Sequence, residues 1–121
     1  MDESIMEGLQ GVKGYMGGAI NNYTGECLVC DSNKLQGSLE EVSATFNDVF
    51  RDSHKISNDL KLGATKIMEI HTEKSTVLMG CSGENSDIHL HIFAIFNEDG
   101  NVALGKIQLN KILPKAVAAL S

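Results

Sequence analysis

The sequence predicts an α+β fold: a five-stranded antiparallel sheet with helices on both faces, in the order α-β-β-α-β-β-β-α. Three observations carry this reading. One long segment keeps the 3-4 apolar spacing of a helix. Five shorter segments have the composition and length of strands. Twelve glycines and a single proline punctuate the rest. Three consecutive strands after the long helix imply an antiparallel meander, with helices on both faces of the one sheet. At 121 residues the chain reads as one domain, 1–121, long enough to bury roughly two-thirds of the surface its unfolded form exposes.

Residues 2–10, from Asp2 to Gln10, read as a short helix with acids in its first turn and Ile5, Met6 and Leu9 on one side. Lys13 to Asn21 favours a strand, in which the Gly17–Gly18 pair marks close backbone approach by a neighbour. Asn21-Asn22-Tyr23-Thr24-Gly25 is hairpin chemistry, since Asn and Gly tolerate positive φ, and Glu26 to Asp31 makes the second strand.

The long helix is the strongest element. Ser38 with Glu41 three residues on forms a capping box. Apolar or small positions recur at Leu39, Val42, Phe46, Val49, Ser53, Ile56 and Leu60, a heptad-like stripe that Phe50 widens. Gly63 is the natural residue just past the end, which predicts a helix over 39–62, about 36 Å long at ~1.5 Å per residue. Glu40, Asn47, Asp48, Arg51, Asp52, Lys55 and Asp59 fall on the opposite face.

Beyond Gly63 the period switches to two. Thr65–Thr72 and Thr76–Ser82 read as strands joined by the Glu73-Lys74-Ser75 turn. After a polar loop at 83–87, Ile88 to Phe96 is apolar on both faces beyond His91, the mark of a central strand. Asn97-Glu98-Asp99-Gly100 turns the chain into a helix over 102–120. Pro114 lacks a backbone donor there, which predicts a kink or a restart near Asn110–Leu113.

Composition excludes several function classes. Residues 1–60 carry ten acids and four bases, while 61–121 carry six of each, for a net charge of −6 with a single arginine, Arg51. Such a chain is a poor match to a phosphate backbone, so no nucleic acid is expected. No apolar run approaches the ~18 residues of a membrane span, and three cysteines without a secretory h-region suit a reducing compartment. The expectation is a cytoplasmic chain with no membrane insertion.

No constellation in the sequence places a catalyst. There is no nucleophile elbow, and Gly8-x-x-Gly11-x-x-Gly14 lacks both the preceding strand and the GK[ST] ending of a phosphate loop. Cys27-Leu28-Val29-Cys30 matches CxxC, but positions i and i+3 of a regular strand point to opposite faces, so the thiols are expected to diverge. Cys81 reads as a small core residue. His89 and His91 share one strand face, with His54 on the long helix and His71 on another strand. Without a converging carboxylate or cysteine motif they read as polar residues at the sheet margin or under a helix, each with one hydrogen bond. No catalytic, cofactor or metal-binding residue is therefore assigned, and the chain is not expected to be an enzyme. Arg51, flanked by Asp48, Asp52 and Lys55 at helical spacing, reads as an intrahelical partner and not as an arginine finger.

The whole pattern resembles the Roadblock / dynein light chain 7 family over nearly the entire chain. Gly11-Val12-Lys13-Gly14-Tyr15-Met16-Gly17-Gly18-Ala19-Ile20 is similar to the family's "GVxGa" lead into the first strand. The Tyr23-Thr24-Gly25 turn, the long second helix and the meander follow in family order, and Val102-Ala103-Leu104-Gly105-Lys106-Ile107-Gln108-Leu109 resembles its "lGllrl" lead into the last helix. The resemblance implies a homodimer in which the long helices pair and the third strands join edge to edge. It also implies a non-catalytic module that scaffolds or regulates a Ras-like small GTPase in a motility, polarity or transport complex. The stripe supports self-association independently, because seven positions exceed what one small sheet face covers. The candidate dimer interface is Leu39, Val42, Phe46, Val49, Ser53, Ile56 and Leu60, with Ile67 and Glu69 from the third strand. The alternative reading is a small-molecule or redox sensory module of PAS- or profilin-like architecture, which would keep a cavity where these stripes suggest filled core.

Overall fold

The computed structural model describes residues 1–32 and 34–121. A 3₁₀ turn at Glu3–Met6 runs into the short helix α1 (Glu7–Gln10), followed by β1 (Tyr15–Asn22), β2 (Cys27–Asp31), α2 (Leu39–Asp59), β3 (Ile67–His71), β4 (Ser75–Cys81), β5 (Leu90–Asn97) and α3 (Val102–Leu120). This is the predicted order. The sheet runs β2-β1-β5-β4-β3 with every pair antiparallel. The meander β3-β4-β5 therefore returns β5 beside β1, and β3 is left at an edge.

One side chain in two along each strand faces each layer. Ile20, Val29, Leu78, Leu90, Ile92, Ala94 and Phe96 meet Met6 and Leu9 at the N-terminus and Leu109, Ile112 and Ala116 of α3, all buried. On the other face Ala19, Val77, Met79, Phe93 and Ile95 meet Leu39 and Phe50 of α2. The Gly17–Gly18 pair is required by close approach, as expected. A Cβ on Gly17 would lie 2.6 Å from the Asp31 carbonyl oxygen, and one on Gly18 would meet the Met6 methyl at 2.8 Å.

Three local expectations are corrected. First, α2 stops at Asp59, not at residue 62. Leu60 caps it, and Lys61 takes the left-handed conformation at φ 60°. The Lys61 and Leu62 amides donate to the Asn58 and Ser57 carbonyls, both at 2.9 Å, which is a Schellman closure with lysine where glycine is usual. Gly63, at φ 85°, serves the following turn instead. Second, α3 runs through Pro114 without a restart. Third, the β1–β2 register shifts between Ile20, opposite Val29, and Asn21, opposite Cys27, leaving Leu28 as an extra residue. This β-bulge turns Leu28 and Val29 together toward the α3 layer and Cys27 and Cys30 together toward α2. The thiols thus share a face instead of diverging.

Candidate functional site

The rotation of α2 about its axis decides what this face of the molecule can do. Its buried residues are Leu39, Ser43, Asn47, Phe50 and His54, spaced 4-4-3-4, so a mixed polar stripe packs on the sheet. Asn47, placed by periodicity on the solvent face, is fully buried. Each buried polar group on this stripe is satisfied. Ser43 donates to the Glu40 carbonyl at 3.0 Å within its own helix, while Asn47 and His54 reach into a network below.

That network has one consistent set of proton positions. The Thr65 amide donates to Nδ1 of His54 at 3.0 Å, so in the neutral ring Nε2 of His54 carries the proton. It points at Nε2 of His91, 3.3 Å away. His91 then donates from Nδ1 to Oδ1 of Asn47 at 2.7 Å, and Nδ2 of Asn47 donates to the Tyr23 carbonyl at 2.9 Å. Four links, two buried and two partly buried, thus tie the loop before β3, α2, β5 and the β1–β2 hairpin together. Beside them, Sγ of Cys81 lies 2.9 Å from Nε2 of His89 and accepts the Gly83 amide at 3.2 Å. Cys81 pairs with His91 across the β4–β5 ladder, so its side chain is on the same face.

His54, Cys81, His89 and His91 therefore converge, each offering a ligand atom within 4.8 Å of the others. His54 and His91 are buried between α2 and the sheet and Cys81 packs against the core there, as the sequence allows, but their convergence with His89 on one point is not expected from it. Aromatic rings wall the cluster: Tyr23 stacks on His89 at 4.5 Å, and Phe50 packs edge-on against His54 and His91 at 4.9 and 4.7 Å. The Arg51 guanidinium sits over Tyr23 at 4.9 Å and pairs with Asp48 at 3.7 Å, the intrahelical role expected of it. Burial, with the neighbouring histidines second, pushes the pKa of His91 down to about 3. Burial also lowers His54 and His89, against the opposing pull of Glu84, and raises the Cys81 thiol. Burial thus disfavours the charged form of all three imidazoles. Opposite His91 on β1, Asn21 is wholly buried and neither atom of its amide has a partner among the described residues. His71 stands apart, hydrogen-bonded to Glu69 and Thr76. Cys27 and Cys30 lie together on the α2 face as free thiols, with burial first and Cys30 second raising Cys27 to about 11.

The predicted interface residues separate into three groups. Val42, Val49, Ile56 and Leu60 stand on the outer flank of α2, 48, 40, 60 and 65% exposed, with half-buried Phe46 and Ser53 between them and Leu62 beyond. Leu39 belongs elsewhere, because at 2% exposure it fills the chain's own core. Ile67 and Glu69 lie on the α3 side of β3, and Glu69 forms an ion pair with Lys106 of α3. The structure therefore joins them to the stripe only through the backbone edge of β3, while Met68 and Ile70 face the α2 side.

No family model matches the chain, and no curated protein matches it in sequence. Solved structures do match. The Roadblock/LC7 domain from Streptomyces avermitilis aligns with a TM-score of 0.83 at 11% identity, over 98% of this chain and 96% of that one. The gliding protein MglB from Thermus thermophilus aligns at 0.77 with 13% identity, over 98 and 88%. Profilin IA from Acanthamoeba castellanii aligns at 0.60 with 10% identity, over 98 and 95%. The chain has the Roadblock/LC7 fold, whose layering profilin shares more loosely.

Proposed function

We propose that this chain is a non-enzymatic, self-associating interaction module that scaffolds or regulates a Ras-like small GTPase in the cytoplasm. The observation that carries this reading is the outer flank of α2. Val42, Val49 and Ile56 along one side of α2, with Leu60 and Leu62 just past its end, are each at least 40% exposed, and isolated soluble chains rarely leave so continuous an apolar strip uncovered. The strip ends beside β3, an edge strand whose outer hydrogen-bonding groups invite a second strand. A two-fold pairing of α2 with α2 and β3 with β3 covers both at once. The likeness to a Roadblock/LC7 domain and to a gliding protein supports the further step to a GTPase partner.

Light scattering tests the self-association. The expected mass is about 26 kDa, twice the 13.0 kDa of the chain, and a concentration-independent monomer overturns the reading. Val49→Asp places a carboxylate in the proposed seam, where burial without a partner costs several kcal/mol, so the dimer is lost. Because Val49 is 40% exposed in the single chain, its unfolding free energy should change by only about 0.5 kcal/mol. Asp52→Ala, on the exposed face, should remain dimeric. Capture from a lysate of the source cell with GDP or a non-hydrolysable GTP analogue present should then recover a Ras-like GTPase on the dimer and not on Val49→Asp.

A further inference from the structure

We propose that His54, Cys81, His89 and His91 form a closed tetrahedral site for a divalent transition metal, zinc by its ligand set. The hydrogen-bond chain through Asn47 accounts for His54 and His91 without any ion. It does not account for Cys81 and His89, which turn onto the same point, nor for the unpartnered amide of Asn21 beside them. Three imidazoles and one thiolate, walled by the Tyr23 and Phe50 rings, are the donor set of a structural zinc site.

The geometry is nearly preformed. Zn–N bonds of about 2.0–2.1 Å and a Zn–S bond of about 2.3 Å set tetrahedral edges of roughly 3.3–3.4 Å between nitrogens and about 3.6 Å from nitrogen to sulfur. His54 Nε2 and His91 Nε2 are already 3.3 Å apart, and no pair of ligand atoms exceeds 4.8 Å. The fold supplies the outer contacts such a site needs. Nδ1–H of His91 is held by the Asn47 carbonyl oxygen, which fixes Nε2 as the free, inward nitrogen, and the Gly83 amide already points at the sulfur. Zinc binding would displace the Cys81 proton to solvent, so the thiol whose pKa burial raises becomes the one anionic ligand. Glu84, whose charge acts on His54, Cys81 and His89, offsets the remaining positive charge from the rim.

His54 is the ligand that must rearrange. Ligation through Nε2 moves its ring proton to Nδ1, where it would oppose the Thr65 N–H that now donates there. The metal-bound chain therefore releases the Thr65 amide, in the connection between α2 and β3. Four protein ligands leave no open position, so the ion braces α2 against the sheet and performs no hydrolysis. Nothing in this assignment requires self-association.

The test uses the full chain stripped with chelator and titrated with Zn²⁺ alone or Co²⁺ alone. One equivalent should bind per chain and raise the melting temperature. Co²⁺ should give the visible bands of tetrahedral coordination together with a thiolate-to-cobalt charge-transfer band. Cys81→Ser and His89→Asn, at half-exposed positions where folding should persist, should each weaken binding about 100-fold or more, and Cys81→Ser should abolish the charge-transfer band. Cys27→Ser/Cys30→Ser should bind as the parent does. Substoichiometric binding, or full affinity in both Cys81→Ser and His89→Asn, overturns the site. An amide signal of Thr65 that zinc leaves unmoved overturns the closed form, because His54 would then not be a ligand.

Discussion

On the sheet face covered by α1 and α3 the buried side chains are mostly apolar, and the buried carboxylate among them, Asp31, accepts from the Tyr15 hydroxyl at 3.0 Å. On the face covered by α2 the arrangement is reversed: Asn21, Ser43, Asn47, His54 and His91 are buried, while Val42, Val49, Ile56 and Leu60 of the same helix stand in solvent. The first face is dominated by hydrophobic burial. The second gives up burial of an available apolar stripe in favour of a hydrogen-bonded polar one. A helix oriented that way serves something other than the stability of the single chain. The polar side presents ligands and the apolar side presents a surface.

Substitutions on the two faces should show this difference. The largest loss belongs to the apolar face. Phe96 is fully buried, meets Tyr15 edge-on at 6.0 Å, and is packed so closely that a Cβ on Gly105 would lie 2.6 Å from its ring. Phe96→Ala should cost about 3–5 kcal/mol, seen as a lower denaturation midpoint with unchanged slope. The next effect separates the faces in kind. Asn47→Leu makes the buried stripe of α2 more apolar, yet it strands the His91 N–H and the Tyr23 carbonyl. Chemical denaturation of the metal-free chain should show a loss of about 2–3 kcal/mol. A stabilised Asn47→Leu would mean the polar stripe is incidental, and the contrast between the faces would collapse. The smallest effect has the opposite sign. Lys61 holds a left-handed conformation at φ 60°, which glycine adopts without a Cβ penalty, so Lys61→Gly should stabilise by about 0.5–1 kcal/mol despite the added freedom of its unfolded chain.

Local chemistry makes most of the fold legible. Ser38 predicts the start of α2 and its Oγ accepts the Glu41 amide at 3.3 Å, because a cap is a contact between residues three apart. The end of α2 is misplaced by the same local logic, because Gly63 is the better left-handed residue, yet the chain closes two residues earlier on Lys61. The bulge at Leu28 is hidden for a different reason. Strand parity is local, but an inserted residue is set by register against β1. The candidate metal centre is half visible: His89 and His91 carry the two-residue spacing of a shared strand face. His54 and Cys81 carry no sign of joining them, since those contacts span 37 residues from His54 to His91 and eight from Cys81 to His89.

The sequence by itself determined the number, type and order of the elements, since period, caps and turn residues act over a few positions. Its spacing also set an apolar stripe on α2 along Val42, Val49 and Ile56, whereas the second, mixed stripe along Ser43, Asn47 and His54 is read only from their burial. Only the tertiary structure decided which of the two packs inward. That choice depends on whether buried amides and imidazoles find partners across the sheet, and Tyr23, Thr65 and His91 supply them from three other segments of the chain. Hydropathy ranks the stripes in the opposite order, because it counts the cost of burying a polar group and cannot count a hydrogen bond whose partner lies tens of residues away.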